Sequence, residues 1–491
     1  MIHPTPTQVL LTTTFEPLVR QLSGSLARGV RLIDQFLQDD PTPQKMMTFE
    51  GELSALLREV GRRIMAWALN RLEPQDDQEA PARVELEGHL YRRRRLYPNS
   101  VATLFGPVEL RRRLYEPLER GRRAIHPLEL CLGIEAGLAT PALAERVGRW
   151  STDYTQHEVL ELLAKDHGVH WSCSSLRKVL KSLRGGMAPH REVCQVDQVV
   201  EWIEQARASK GRFRPTLSVG RDGIFVPLRH GVWQEGGTAT VSVLDRRGKR
   251  LGTAYLGQMP ESGQGTLTDQ LSRLLQAILT QVDSQSLRLV YVSDEGHHPS
   301  TYYHRVLKKM VDPRRPWRVL EWVRIVDFYH ACGYVQQLAD TIFGAGDVAQ
   351  NWAKAMRHVL KTKSDGVARV LKSASALRRS RGLCGQAKLY DKAYRYIKKR
   401  TQWMRYHLYK RQGLPLGSGI TEAACKLVFT QRLKRSGMSW TIEGGQVSLD
   451  LRVIKLSRVW GKVHQRYLAS KAMPSVSLET AKGLQNGQLA A

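Results

Sequence analysis

Apolar residues recur at three- and four-residue spacing near the start of the chain: Leu18, Leu22, Leu26 and Val30, then Leu53, Leu56, Leu57 and Val60. That period gathers them on one stripe of a helix, so residues 1–70 are predicted to be mostly helical. The polar run 73–83 carries two prolines and reads as a boundary. Short alternating runs follow on either side of Phe105-Gly106-Pro107, the pattern of a β-hairpin whose arms are studded with arginine. Helical periodicity returns from 138 to 184. There two amphipathic segments flank the turn Asp166-His167-Gly168-Val169-His170, with Ser172 placed to cap the second. Leu176, Val179, Leu180 and Leu183 form its apolar stripe, leaving Ser174, Ser175, Arg177 and Lys178 outward. This is the outline of a helix-turn-helix, and equally of a helical hairpin with no DNA role.

A further helix is predicted over 195–212, and at about 214 the period changes from helical to alternating. Three successive strands, joined by Gly-rich turns, are followed by a helix, an apolar strand ending at Asp294, a helix, and a strand through Val323-Arg324-Ile325-Val326-Asp327. Three antiparallel strands and then alternating helix and strand is the order expected of an RNase H-like α/β domain. Residues 335–412 have no strand character, a last helical block runs from about 418 to 470, and the tail after Met473 is polar.

Charge changes the picture from fold to partner. Seventy-five Lys and Arg against 46 Asp and Glu leave +29 over 491 residues. A field of that size attracts polyanions and makes their binding salt-sensitive through counterion release, so nucleic acid is the expected partner, with a membrane surface as the alternative that charge alone leaves open. Arg92, Arg93, Arg94 and Arg95, with Arg111, Arg112 and Arg113 on the facing arm and Arg177 and Lys178 on the helix pair, are candidate phosphate contacts. So are Lys398, Lys399, Arg400, Lys410 and Arg411 in the aromatic-rich stretch 388–411, whose Tyr and Trp residues are expected mostly to pack. Six cysteines (131, 173, 194, 332, 384 and 425) include no Cys-x-x-Cys pair, which argues against a zinc ribbon and a disulfide scaffold. The N-terminal residues lack the features of a secretory leader, and no run approaches 18 apolar residues. A cytoplasmic protein with reduced cysteines and no membrane contact is expected.

The candidate chemistry is carried by carboxylates. Asp222 follows a predicted strand at 217–220, Asp294 ends the strand at 289–293, and Glu422 lies where Gly417-Ser418-Gly419 breaks the chain before a helix. Hard divalent cations prefer oxygen ligands, and two of them stabilise the attacking and leaving oxygens of an in-line phosphoryl displacement. Any one of these aspartates alone reads as readily as a turn or cap. His297, His298 and His304 with Glu295 suggest a zinc site, but lack the spacing that puts two imidazoles on one helical face.

The run Gly417-Ser418-Gly419-Ile420-Thr421-Glu422-Ala423-Ala424-Cys425-Lys426, continuing Thr430-Gln431-Arg432-Leu433-Lys434-Arg435-Ser436-Gly437-Met438-Ser439-Trp440, resembles the glutamate motif of ISKra-type bacterial insertion-sequence transposases, relatives of the Mutator-like group. Asp327-Phe328-Tyr329-His330 is similar to the Asp-x-x-His signature of that group, and Arg221-Asp222-Gly223 and Val292-Ser293-Asp294 to its two aspartate motifs. The spacings, 294−222 = 72 and 422−294 = 128, suit an RNase H-like core with a helical insertion before the glutamate. Gly106-Pro107-Val108 through Arg111, Arg112, Arg113 and Tyr115 resembles a strand of the same proteins. Many relatives then carry a Cys-x-x-Cys pair where this chain has Glu116-Pro117-Leu118-Glu119-Arg120-Gly121, so no zinc is expected.

The resemblance implies a multidomain α+β chain. A helix-rich N-terminal DNA-binding region (arginine-rich hairpin plus helix-turn-helix-like pair) would precede an RNase H-like α/β catalytic domain with a helical insertion. The expected divisions are 1–75, 84–195, 213–335 with 413–470, the insertion 336–412, and a tail 471–491. It implies a DDE transposase in which Asp222, Asp294 and Glu422 hold two Mg²⁺ or Mn²⁺ ions. Asp327 and His330 would support the site or contact phosphate, or instead join two elements through a buried hydrogen bond. Lys426, Arg432, Lys434 and Arg435 would touch DNA. Its partners would be double-stranded DNA, the transposon terminal inverted repeats and target DNA, bound by a homodimer or larger assembly. An RNase H-fold resolvase without strand transfer, and an inactive transposase-derived DNA-binding protein, are the alternatives.

Overall fold

The structure, a computed structural model, describes residues 6–38, 40–74, 76–385, 387–471 and 475–476. Residues 1–5 and most of the tail expected at 471–491 lie outside the described residues. The architecture mixes helix and sheet in two compact units, residues 1–186 with 464–491, and residues 187–463.

In the first unit the amphipathic stretch forms α1 (Pro6–Gln38) and α2 (Pro43–Asn70). The Thr42 hydroxyl accepts from the Lys45 N–H and Pro43 sits in the first turn, where its missing N–H costs nothing. Phe15 packs on Trp67 and Phe36 on Phe49, so the two helices run antiparallel. Strands β1 (Arg83–Leu86), β2 (His89–Thr103) and β3 (Gly106–Pro117) form an antiparallel meander, with residues 475–476 paired to the outer edge of β1. The β2–β3 connection is the hairpin expected at Phe105-Gly106-Pro107, and Gly106 takes a φ of 111° there, which a side chain would resist. Val101, Val108, Leu110 and Leu128 form a small core that Met65 and Leu69 of α2 cover.

Helices α3 (Pro127–Cys131), α4 (Pro141–Ser151) and α5 (Gln156–His167) follow. Thr155 and Glu158 form a capping box on α5, and Gly168 ends it in the left-handed conformation. The next helix, α6 (Cys173–Ala208), starts where expected, with the Ser172 hydroxyl accepting from the Ser175 N–H. It does not stop near residue 184. It continues through Gly185, Gly186 and Pro189, because Val196, Val199, Trp202 and Ile203 extend the apolar stripe into the core of the second unit. Gly186 is retained by packing: a Cβ there would lie 2.0 Å from the Tyr467 ring.

The second unit is built on β4 (Thr216–Pro227), β5 (Trp233–Leu244), β6 (Arg250–Gln258), β7 (Arg288–Ser293) and, after the short ribbon β8 (Val311–Asp312) and β9 (Arg315–Val319), β10 (Trp322–Val326). The sheet order is β10-β7-β4-β5-β6; β4, β5 and β6 are antiparallel, and β4, β7 and β10 are parallel. Alternation along β7 assigns its faces. Leu289 and Tyr291 join the core formed with α6 and α7 (Gly265–Gln281), while Val290 and Val292 join a second core on the opposite face. That second core is the helical block predicted at 335–412, seen as α9 (Phe328–Phe343), α10 (Asp347–Thr362), α11 (Gly366–Arg381), α12 (Ala387–Lys399) and α13 (Tyr406–Arg411), with α8 (His297–Arg305) between β7 and β8. The chain returns through α14 (Gly419–Ala424), a π-helical turn Cys425–Thr430, α15 (Gln431–Leu433) and α16 (Ile442–Leu456) before α17 (Trp460–Ala469). Among the described residues no helix is long and apolar enough to cross a membrane.

Candidate active site

Strand register brings the first two carboxylates together. Parallel pairing between β4 and β7 ends at Gly220 opposite Val292. Asp222 and Asp294 each lie two residues beyond that last pair, near enough for the Asp294 charge to act on the Asp222 carboxyl. Asp222 is not beyond its strand, as expected, but inside it. β4 runs on to Pro227 because β5 continues as its hairpin partner, Thr238 opposite Asp222. β7 stops at Ser293, so the β4 edge at Asp222 carries no strand on that side. Each aspartate is held by a main-chain N–H: Gly223 donates to Asp222 at 2.8 Å and Gly296 to Asp294 at 2.9 Å.

Glu422 reaches the same place from α14. Thr421, buried, shares a 3.0 Å hydrogen bond with Thr240 of β5, and a Cβ at Gly220 would lie 1.9 Å from the Thr421 hydroxyl. The helix therefore seats directly on β4 and β5 at a glycine, with Glu422 exposed beside Asp222. Burial first, then the Asp294 charge and, less strongly, Glu422, push the Asp222 carboxyl up to about 6. Cys425, one turn beyond Glu422, donates from Sγ to Asp222 at 3.4 Å, and burial beside that carboxylate raises the thiol. Among the described residues no three His, Cys, Asp or Glu side chains close into a ready-made metal cluster. The coupling of the three acids is through space. Their all-oxygen donor set, and a like charge that adds to burial in raising Asp222, fit a hard divalent cation.

Asp327 does join two elements, as one of its two expected readings had it, but through the His330 main chain and Ser418 rather than the imidazole. Its carboxylate accepts from the main-chain N–H of His330 at 2.7 Å, capping α9, and from both the N–H and hydroxyl of Ser418. The same Ser418 hydroxyl lies 2.9 Å from Glu422 Oε1. Fully buried Asp327 thus ties the end of β10 to the turn that launches the glutamate helix. The His330 ring is exposed and meets Tyr334 and Tyr396 edge-on.

Several supporting residues escaped the sequence reading. Glu295 takes a φ of +69° and is buried in a paired contact with Arg324, which also stacks on Trp403 at 3.8 Å. That pairing, with His304 Nε2 2.9 Å from Arg324, occupies two members of the suggested zinc set. The Tyr396 hydroxyl donates to the carbonyl of Asp294, and Tyr406 and Tyr409 donate to carbonyls of Val326 and Arg324. The one available signal was a lone arginine inside the apolar strand Trp322-Val323-Arg324-Ile325-Val326.

The basic residues divide by exposure. Arg92, Arg94, Arg95, Arg111, Arg177, Lys178, Lys398, Lys399, Lys410, Arg411, Lys426 and Arg435 are exposed, and Lys434 is half-buried beside Trp233. Arg112, Arg113 and Arg432 are corrections to the phosphate-contact expectation. Arg112 pairs with Glu129, Arg113 with Glu73 and Asp77, and Arg432 stacks under Trp440. Arg112 and Arg113 of β3 are buried against the carboxylates of Glu129 and Glu73, and Arg113 also reaches exposed Asp77. Arg93 is drawn to the carbonyls of Asp77 and Ala80, and Arg400 lies over Tyr396 with Nε 3.8 Å from Glu295. Compared with known proteins, the chain matches no family model and no curated sequence.

Proposed function

We propose that this chain is a DDE-type DNA transposase that cleaves transposon ends and joins the freed 3′-hydroxyl to target DNA. The observation that carries the reading is the pair Asp222 and Asp294 brought together by strand register, with Glu422 delivered onto the same strand edge and Asp222 raised by burial and then by the Asp294 and Glu422 charges. The sheet order and strand directions agree with an RNase H-like catalytic domain, and α9–α13 with a helical insertion between the second aspartate and the glutamate. The motif resemblance around Glu422 supports the same class.

Asp222, Asp294 and Glu422 would hold two Mg²⁺ or Mn²⁺ ions, which supply charge stabilisation and an activated oxygen nucleophile for both displacements at phosphorus. The protein's own share is positional. Ser418 and Asp327 orient Glu422, Tyr396 and the buried Glu295–Arg324 pair hold the Asp294 main chain, and Gly220 lets α14 approach. Exposed Lys398, Lys399, Lys410, Arg411, Lys426 and Arg435 supply charge for the DNA backbone. Two ends must be joined, so a homodimer or larger assembly is expected on DNA.

Asp222→Asn, Asp294→Asn and Glu422→Gln each keep size but remove charge. Each should abolish cleavage and strand transfer, a loss of more than about a hundredfold, while end binding is kept. A gel assay with element-end and target DNA in Mg²⁺ reads all three steps. Metal-dependent cutting of branched DNA with no joined product would favour a resolvase, and binding with no cleavage by wild type would favour a DNA-binding relic. An Asp294→Asn variant that joins ends at the wild-type rate would end the assignment.

A further inference from the structure

Asp222, Asp294 and Asp327 lie toward one end of the parallel strands β4, β7 and β10, and Arg214 and Arg288 lie where β4 and β7 begin. At the starting end, a cavity of about 520 Å³ opens within the second unit. Arg214, just before β4, Arg288, the first residue of β7, and Arg318 of β9 line it, with Glu321 and Trp322 at the start of β10. Register fixes the level: Arg288 stands opposite Thr216 of β4, and Trp322 opposite Leu289. Asp294, just past the far end of β7, is six residues from Arg288, on the order of 20 Å away, so this cavity is separate from the carboxylate site.

Three guanidinium charges face the single carboxylate of Glu321, and none of the three arginines forms an ion pair among the described residues. Arg214 donates to the carbonyls of Gln285 and Leu287, and half-buried Arg288 donates to Gln412 Oε1 at 2.8 Å. Both sets of hydrogen-bond partners are neutral, so an excess of positive charge remains over the one Glu321 carboxylate. Trp322 is 8% exposed, and its indole N–H has no hydrogen-bond partner among the described residues. Burial, and then Arg214 beside it, pull the Arg288 guanidinium below its ordinary value. Arginines are the planar, multi-donor groups best matched to tetrahedral oxyanions, and a cavity that sets three of them against one carboxylate is relieved by an anion.

We propose that this cavity is a phosphate-binding site, formed by Arg214, Arg288 and Arg318, that acts independently of the carboxylates. The phosphate comes either from the DNA backbone or from a small phosphorylated molecule; the recognition chemistry is the same.

Calorimetric titration of the full chain with inorganic phosphate tests it, read as the difference between wild type and variants because the +29 chain holds phosphate loosely elsewhere. Arg288→Gln and Arg318→Gln should each weaken the saturable component at least about tenfold, the loss of one charge-assisted contact. The Arg318 side chain makes no hydrogen bond among the described residues, so its variant should keep the fold. Glu321→Gln should tighten binding severalfold, a gain that structural damage does not produce. Repeating the titration with a short DNA duplex separates the sources. Parallel loss of duplex affinity, with phosphate competing, assigns the site to the DNA backbone; unchanged duplex affinity with lost phosphate binding assigns it to a small phosphorylated ligand. Phosphate isotherms that coincide for wild type and all three variants would overturn the proposal.

Discussion

An ionised Asp222 works against the fold. Its carboxyl is pushed up to about 6 from an ordinary value near 3.8. One pKa unit is worth about 1.4 kcal/mol, so the charged form costs on the order of 3 kcal/mol in the absence of cation. The sign follows from linkage. A raised folded-state value means the group favours folding below the unfolded value and loses that contribution as pH rises through about 6. Metal-free Asp222→Asn should therefore melt a few degrees above wild type at pH 7–8, with the difference vanishing near pH 4. Mg²⁺ should raise the wild-type midpoint more than the variant's. Thermal denaturation across that pH range reads both, and a variant no more stable than wild type at pH 8 would refute the cost of ionising buried Asp222. Arg113 gives the opposite case. It is 1% exposed against Glu73, whose carboxyl burial has already raised. Arg113→Ala should destabilise by about 3–5 kcal/mol, the usual cost of stranding a buried charge, where Arg95→Ala should change stability by less than about 0.5 kcal/mol. No property of the run Arg111-Arg112-Arg113 separates its exposed member from its buried ones. Only the covering helix and Glu129 do, and both come from elsewhere in the chain.

At the scale of elements, the glutamate helix depends on a missing side chain. Gly220 interrupts an apolar strand because the Thr421 hydroxyl fills the space where a Cβ would stand. Gly220→Ala should push α14 off β4, costing about 1–3 kcal/mol as overpacking does, and displace Glu422. Gly220→Ala with Thr421→Ala should recover part of that stability, because the second change deletes the clashing oxygen. Denaturant unfolding of the two variants is the measurement, and a double variant weaker than the sum of its singles would refute the packing argument. Strand order, the hairpin and the helical block were readable because alternation and three-four spacing are local signals. The length of β4 was not, since it is set by β5 across the sheet. The end of α6 was not either, since Gly185, Gly186 and Pro189 read as breakers and were overridden by burial of Val196 through Ile203. The three carboxylates could be named from sequence. What Asp327 bonds could not, because Ser418 lies 91 residues away.

At the scale of the whole molecule, the excess charge of +29 is a prediction about salt. Each phosphate neutralised by a cationic side chain releases counterions, so the logarithm of the binding constant falls with the logarithm of salt by about 0.9 per contact on duplex DNA. The slope counts only residues that reach the backbone. Arg92, Arg95 and Arg111 are exposed on the meander of the first unit, whereas Arg112 and Arg113 spend their charge on Glu129, Glu73 and Asp77. Replacing Arg92, Arg95 and Arg111 together by alanine in the full chain should flatten the slope by up to about 3, with the melting midpoint nearly unchanged. Replacing Arg112 by alanine should lower the midpoint instead, and leave the slope within error for whatever fraction stays folded. The two outcomes separate a phosphate-facing surface from a structural one in a single experiment, fluorescence anisotropy of a labelled duplex over a salt series. A triple variant with the wild-type slope would place the DNA-binding charge elsewhere, and the exposed residues Lys398, Lys399, Lys410 and Arg411 of the second unit would be the next to test.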